Sequence, residues 1–394
     1  MISLVLILPI IFCLILLFAK DNKLNNIFIT SYAVVHSFLG LCYFLKPDII
    51  ANNQYFNLNS TNIIFYVVLS IVYLAVSIYN IGYSKNLESA FKPKKMMHYS
   101  TMILIFVLSM TGGILSNNLG LAWIFIEGTT LASAYLIYFN KTKHSIEAAW
   151  KYVFICSIGI ALAFVGIILL TIATGNLNSL NYNDLLNNAK NFSSFWLNIS
   201  FVFILFGIGT KMGLAPVHFW LPDAHAEAPS PISALLSATL LNSAFLVILR
   251  VYKIMEIANC TNYAKLMLFI MGFLSLFVTA VFVYHIKNYK RMLAYSSIEN
   301  MGILAIGTAL GGLAYYAVIL HLIGHSLAKA SFFLTSGNVL ELFESKRTKS
   351  VSGLISADNK TGWLWVASFL AICAFPTSLL FISEFIMIKT MIVD

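Results

Sequence analysis

The sequence predicts an all-α protein that crosses a membrane about twelve times. Sixty per cent of its 394 residues are hydrophobic, only 10% are charged, and mean hydropathy is +0.86, far from the balance of a water-soluble domain. Apolar runs long enough to cross a hydrocarbon layer of roughly 30 Å recur along the whole length. Between those runs, Lys and Arg gather on alternate loops.

The runs lie at 2–19, 27–46, 61–83, 98–116, 118–138, 148–172, 195–213, 231–250, 266–286, 293–311, 314–340 and 361–388. The first has no small-residue cleavage site after its apolar core, so it reads as a retained helix rather than a signal peptide. The longest loops, around 47–60, 84–97, 173–194 and 341–360, are rich in Asn, Lys and Ser and read as connectors. A short interfacial helix is expected within 173–194. Fifteen basic residues fall on one set of loops: Lys20, Lys23, Lys85, Lys92, Lys94, Lys95, Lys141, Lys143, Lys287, Lys290, Arg291, Lys346, Arg347, Lys349 and Lys360. Lys46, Lys190, Arg250, Lys253 and Lys265 fall on the other. This excess puts the first set in the cytoplasm and the N-terminus outside. The net charge of +9 is thereby explained by topology and gives no reason to expect nucleic-acid binding.

Four lysines remain for the membrane: Lys151, Lys211, Lys329 and Lys389. A central charge in a spanning helix costs about 2.5–3.5 kcal/mol on insertion scales, so it marks an ion path more often than a scaffold. Lys389 is close enough to the end of its span to snorkel. Lys151 has a longer way to reach, and Lys211 and Lys329 have the weakest structural excuse. Among the acids, Glu127 lies in the middle of LAWIFIEGTTLASAYLIY, Glu299 at the start of the tenth run and Glu384 after Pro376 in the twelfth. An isolated carboxylate there favours its neutral form unless a cation is close, and Lys211 is the natural partner for Glu127. Such a pair toggles with small changes in distance, as a proton relay requires; a static ion pair that fixes helix packing uses the same two residues.

His321, His325 and Lys329 follow at intervals of four and share one face of the eleventh helix. Three titratable groups on one stripe have the form of a proton wire, and paired metal or haem ligation by the histidines is the rival reading. Four of the eight prolines, Pro216, Pro222, Pro229 and Pro231, interrupt the seventh crossing and its exit, where freed carbonyls must face protein or water. His218, Asp223 and His225 flank this break and are candidates for a water inlet; equally, the histidines brace the turn around Pro222. A second break is expected at Pro376, five crossings later. Five is odd, so equivalent helices point opposite ways, the pattern of inverted repeats. The expected division is 1–97 for three N-terminal helices, 98–253 for the first repeat and 254–394 for the second. The five cysteines are scattered without C-x-x-C, and neither G-x-G-x-x-G nor a P-loop occurs. No cofactor or metal site is therefore expected, and no group that moves an electron.

KMGLAPVHFWLPDAHAEAPSPISALL, with WIFIEGTTLASA before it and KRMLAYSSIENMG, HLIGHSLAKASFF and FPTSLLFISEF after it, resembles the antiporter-like proton-conducting membrane subunits. That family includes the large membrane subunits of respiratory complex I, of membrane-bound hydrogenases and of Mrp sodium/proton antiporters. IEGTTLASA, SIEAAWKY and SALLSATLLNSAFL look closest to component F of hydrogenase-4. The resemblance covers about residues 60–390. It implies a multi-pass subunit of a bacterial or archaeal cytoplasmic membrane, surrounded by lipid and partnered by membrane and peripheral redox subunits, that passes protons or, in the Mrp case, exchanges sodium. It further implies Glu127 and Lys211 as the paired groups of the fifth and seventh helices, Lys151 as a basic group of the sixth, Lys329 with His325 as the central-axis pair, and Glu384 as the terminal acid. Two departures stand out. Ser237 and Asn242 occupy the eighth helix where many relatives place Lys or His, so a wire needs ordered water there. The sequence also stops at Asp394, about two helices before the family pattern does, which leaves the second repeat incomplete and keeps a non-conducting structural subunit as an alternative.

Overall fold

The computed structural model describes residues 2–18, 22–45, 53–90 and 92–393, so Lys20, Lys46 and Asp394 lie outside the described residues. Every regular element in them is a helix, and extended contacts are limited to isolated bridges such as Asn288 with Arg347. In chain order these helices are α1 (Ile2–Phe18), α2 (Asn22–Leu45), α3 (Asn62–Ala90), α4 (Pro93–Leu115), α5 (Leu119–Ile137), α6 (Lys143–Ala173), α7 (Tyr182–Asn188), α8 (Ser194–Met212), α9 (Leu221–Glu227), α10 (Ser230–Leu235), α11 (Leu241–Ile257), α12 (Thr261–Val283), α13 (Tyr289–Leu310), α14 (Leu313–Phe343), α15 (Leu354–Ala357), α16 (Asn359–Ile372) and α17 (Leu379–Val393).

Among the described residues, nine helices are long and apolar enough to cross a membrane. The other three expected crossings fall on α1, which is shorter, on α13, which carries Lys290, Arg291 and Glu299, and on the separate pieces α16 and α17. Starts and stops follow local chemistry. Asn118, Thr142 and Asn288 cap α5, α6 and α13 by accepting backbone N–H groups of the first turn. Pro93 opens α4 where a backbone donor is not needed. The short helix expected in the 173–194 segment is α7.

Helices α6 and α8 approach so closely that only glycine fits between them. A Cβ on Gly207 would stand 2.5 Å from the backbone nitrogen of Ala163. Gly272 of α12 and Gly302 of α13 repeat this close approach, each Cβ position lying 2.8 Å from the other residue's carbonyl oxygen. Small residues at such crossings let backbones meet where lipid supplies no hydrophobic drive for association.

Both predicted breaks are present. α8 stops at Gly213, which adopts φ +80°, a conformation cheap only for glycine. The chain re-enters a helix at α9, and α16 and α17 are separated around Pro376. Between α10 and α11 the helix continues through a π-helical turn, Leu236–Leu240. Such turns insert one residue into a helix and are frequent at functional sites.

Candidate functional site

The break in the seventh crossing exposes backbone groups that lipid cannot satisfy, and side chains of the break itself and of other segments take them over. The Trp220 indole donates to the Thr210 carbonyl at 2.8 Å, and Ser275 of α12 accepts the Ala215 N–H at 2.9 Å. Pro229 has no N–H for the His225 carbonyl, so the Ser233 hydroxyl donates to it at 3.1 Å. Lys346 donates to the Ala226 carbonyl and Lys290 of α13 to the Ala228 carbonyl, both at 2.7 Å. The broken helix is thus held by two ammonium groups from the second half of the chain.

Lys211 stands in the last turn of α8 with no exposed surface. Its ammonium donates to the Tyr152 hydroxyl at 2.9 Å and lies 4.7 Å from the centre of the same ring. The hydroxyls of Tyr152 and Ser133 are 2.6 Å apart. Glu127, half-buried, accepts from Thr130 at 2.9 Å. Glu127 and Lys211 form no ion pair with each other, contrary to the pairing expected from sequence. The Lys211 ammonium instead donates to the Tyr152 hydroxyl of α6.

Lys151 departs from expectation too. It is not on the buried path: its side chain is 46% exposed and bridges Glu147 at 2.6 Å and Asp223 at 3.1 Å. Asp223 also accepts from Arg291 at 2.5 Å. These groups, with His144 and Glu227, line a surface cavity of about 360 Å³. His218 is buried with one ring nitrogen lacking a protein partner, and His225 is buried with neither nitrogen bonded, its ring stacked on Phe333 at 4.9 Å.

In α14, His321, His325 and Lys329 are all fully buried, as their shared face predicts. No hydrogen bond joins them to one another. His321 is held at both nitrogens, by Ser383 and by Asn300, each at 3.0 Å, which leaves no nitrogen free for a metal and weakens the paired-ligand reading. His325 has no protein partner at either nitrogen. Lys329 turns to α13, donating to the Leu293 carbonyl at 2.7 Å and to the Ser296 hydroxyl. Glu299 is half-buried in the middle of α13 rather than at the start of a span, and Glu384 is half-buried on α17.

Between Lys211 and α14 lies the eighth crossing. Ser237, within the π-turn, shares a 2.8 Å hydrogen bond with Ser297. Asn242 donates to the Ser326 hydroxyl at 2.7 Å, while its carbonyl oxygen has no protein partner. Buried polar atoms without a protein partner call for water. Asn242, His325 and His225 each carry such an atom.

The sequence reading placed Lys290 and Arg250 in loops, and both are buried. Lys290 belongs to the first turn of α13. Arg250 donates to the Gly113 and Ile114 carbonyls at 3.3 and 2.7 Å, satisfying the last turn of α4. Asn288 was the available signal for Lys290: an Asn at that position caps a helix starting at 289, ahead of the apolar run. Nothing in the sequence singles out Tyr152 as the partner of Lys211.

Residues 116–393 match the family described as NADH:quinone oxidoreductase/Mrp antiporter, TM. The chain is 36% identical over 365 residues to a hydrogenase-4 component F homolog of Methylacidiphilum infernorum (isolate V4), covering 90% of this chain and 76% of that protein. It is 28% identical over 298 residues to NADH-quinone oxidoreductase subunit N of Desulforudis audaxviator (strain MP104C), covering 75% and 59%. It is 27% identical over 352 residues to Na(+)/H(+) antiporter subunit A1 of Staphylococcus haemolyticus (strain JCSC1435), covering 85% of this chain and 42% of that protein. The chain thus spans only about half the length of these last two relatives. Its fold superimposes on a chain of the membrane-bound sulfane sulfur reductase, an archaeal respiratory membrane complex, with a TM-score of 0.88 at 22% identity, covering 99% of this chain and 81% of that one. A chain of the Mrp complex from Dietzia sp. DQ12-45-1b gives 0.85 at 17% identity, with 99% and 74% covered. The relatives are subunits of multisubunit membrane complexes, and this polytopic membrane protein belongs to the NADH:quinone oxidoreductase/Mrp antiporter transmembrane family.

Proposed function

We propose that this chain conducts protons across a bacterial or archaeal cytoplasmic membrane as one subunit of a redox-driven complex of the hydrogenase-4 or NADH-quinone oxidoreductase type. One observation carries the reading: Lys211 and Lys329 are both fully buried in spanning helices with no ion pair among the described residues, a costly arrangement for a scaffold. Glu127 and Lys211 form the first exchange site. His325 and Lys329 form the central one, with His321 fixed between Asn300 and Ser383. Glu384, beside α14 on α17, is the terminal acid. The cavity lined by Lys151, Asp223 and Glu227 serves as the inlet, with His218 and His225 behind it. Water ordered at Ser237 and Asn242 replaces the missing titratable group of the eighth helix. The N-terminus lies outside, residues 98–253 and 254–394 act as two inverted units after the N-terminal segment 1–97, and neighbouring redox subunits drive the movement.

Similarity to the Na(+)/H(+) antiporter subunit supports a second reading, sodium/proton exchange through the same residues. The test is proton uptake by sealed vesicles containing the assembled complex, comparing the native chain with Glu127→Gln and Lys211→Ala while subunit content is checked by blot. Loss of uptake with assembly intact is the expected result. Unchanged uptake in both variants makes the subunit a scaffold, and uptake that requires a sodium gradient selects the second reading.

A further inference from the structure

Resting on the proposed proton path, the inference concerns how its first two groups communicate. Glu127 and Lys211 form no ion pair, and hydroxyl groups extend from each toward the other. The Lys211 ammonium donates to Tyr152 at 2.9 Å, Tyr152 and Ser133 are 2.6 Å apart, and Ser133 donates to the Thr129 carbonyl at 2.5 Å. Since Ser133 already donates to a carbonyl and Lys211 has no acceptor capacity, the direction is fixed: Lys211 to Tyr152, Tyr152 to Ser133. On the far side, Thr130 donates to the Glu127 carboxylate at 2.9 Å. Glu127, Thr130 and Ser133 follow at intervals of three along α5, so each neighbours the next along the helix. The Tyr152 ring is wedged against Trp220, 4.8 Å between centres, and has no exposed surface. Its hydroxyl is therefore fixed in place by the broken helix itself.

We propose that Tyr152 is a positioning and relay residue, and that proton exchange between Lys211 and Glu127 runs through the hydroxyls of Tyr152, Ser133 and Thr130. In the arrangement described, the Ser133 hydroxyl points to the Thr129 carbonyl and the route is closed. The Ser133 hydroxyl also lies 3.4 Å from the Thr130 backbone carbonyl, and a rotamer change that brings the Ser133 and Thr130 hydroxyls together opens the route. Lys211 then gives a proton to the Tyr152 oxygen, Tyr152 gives its own to Ser133, Ser133 to Thr130 and Thr130 to the Glu127 carboxylate. Each hydroxyl ends with one proton, the lysine is neutral, and the glutamate is protonated. No oxidant or further reactant is needed.

Tyr152→Phe keeps the ring, its packing on Trp220 and its face toward the ammonium, and removes only the relay oxygen. Ser133→Ala removes the next one from a different helix. Proton uptake and its pH profile are measured for both variants in vesicles holding the assembled complex, beside Glu127→Gln. The expected result is a slowing of roughly tenfold to a hundredfold in each hydroxyl variant, the weight of one charge-assisted hydrogen bond, with a displaced pH profile and normal assembly. Native rate and native pH profile in both hydroxyl variants, alongside loss of uptake in Glu127→Gln, overturns the relay and leaves the proton path standing. Unchanged uptake in Glu127→Gln removes the path and the relay together. Should Tyr152→Phe fail to assemble, Ser133→Ala alone decides: a native rate and profile overturns the relay.

Discussion

The ammonium of Lys290 and the carbonyl of Ala228 meet at 2.7 Å across the two halves of the chain. Ala228 follows α9 directly, so this contact fixes one end of the break that carries the site. Lys290→Met fills the same volume but leaves the carbonyl short of its buried donor. A loss of about 1–3 kcal/mol is expected, read as a lower Tm of the detergent-solubilised complex. Lys290→Arg is expected to lose nearly as much, since a guanidinium is too broad for a fully enclosed site.

Lys151 provides the contrast. Its pairs with Glu147 and Asp223 lie at the surface, where ion pairs contribute about 0–1 kcal/mol. Lys151→Ala, at the inlet, is expected to slow proton uptake far less than Lys211→Ala, which abolishes it. Initial rates in the same vesicle preparation compare the two directly.

Asn242 tests the hydrated stretch. Its amide reaches Ser326 at 2.7 Å and its carbonyl oxygen lacks a protein partner. Asn242→Leu keeps the helix and excludes water, so uptake is expected to fall by at least tenfold while assembly holds, whereas Asn242→Gln, which keeps an amide, is expected to preserve most of it. Equal rates for the two variants would place the path elsewhere.

Gly207 reports on packing alone. A methyl group there meets the Ala163 backbone nitrogen at 2.5 Å, and backbone cannot swing aside. Gly207→Ala is expected to cost on the order of 1–3 kcal/mol through overpacking, seen as a lowered Tm. Gly82→Ala, with nothing within 4 Å of its Cβ position inside α3, is the control and is expected to raise Tm slightly through the helix preference of alanine.

Much of this was legible in the letters. Hydropathy located the long spanning helices, and prolines located both breaks, a cluster at the first and Pro376 at the second, because lipid enforces those patterns residue by residue. The shared burial of His321, His325 and Lys329 followed from a spacing of four. What failed was everything set by a neighbour distant in sequence. Lys290 and Arg250 looked like loop cations because each follows or precedes polar residues; only the freed carbonyls of Ala228 and of the last turn of α4 explain their burial. The pairing of Glu127 with Lys211 failed for the same reason. Charge complementarity suggests a direct bridge, while the Tyr152 hydroxyl that Lys211 does meet, 59 residues away in sequence, leaves no trace in local pattern.

The wide turn at Leu236–Leu240 changes what the residues around it can see. Positions five apart diverge by about 140° on an ordinary α-helix, so Ser237 and Asn242 would look toward different neighbours. The extra residue shifts the rotational phase of everything upstream, and with it Ser237 meets α13 while Asn242 meets α14. A single deletion inside 236–240 would therefore leave composition and hydropathy almost untouched. It would turn the whole upstream end of that helix, the stretch after the break included, out of step with the second half of the molecule.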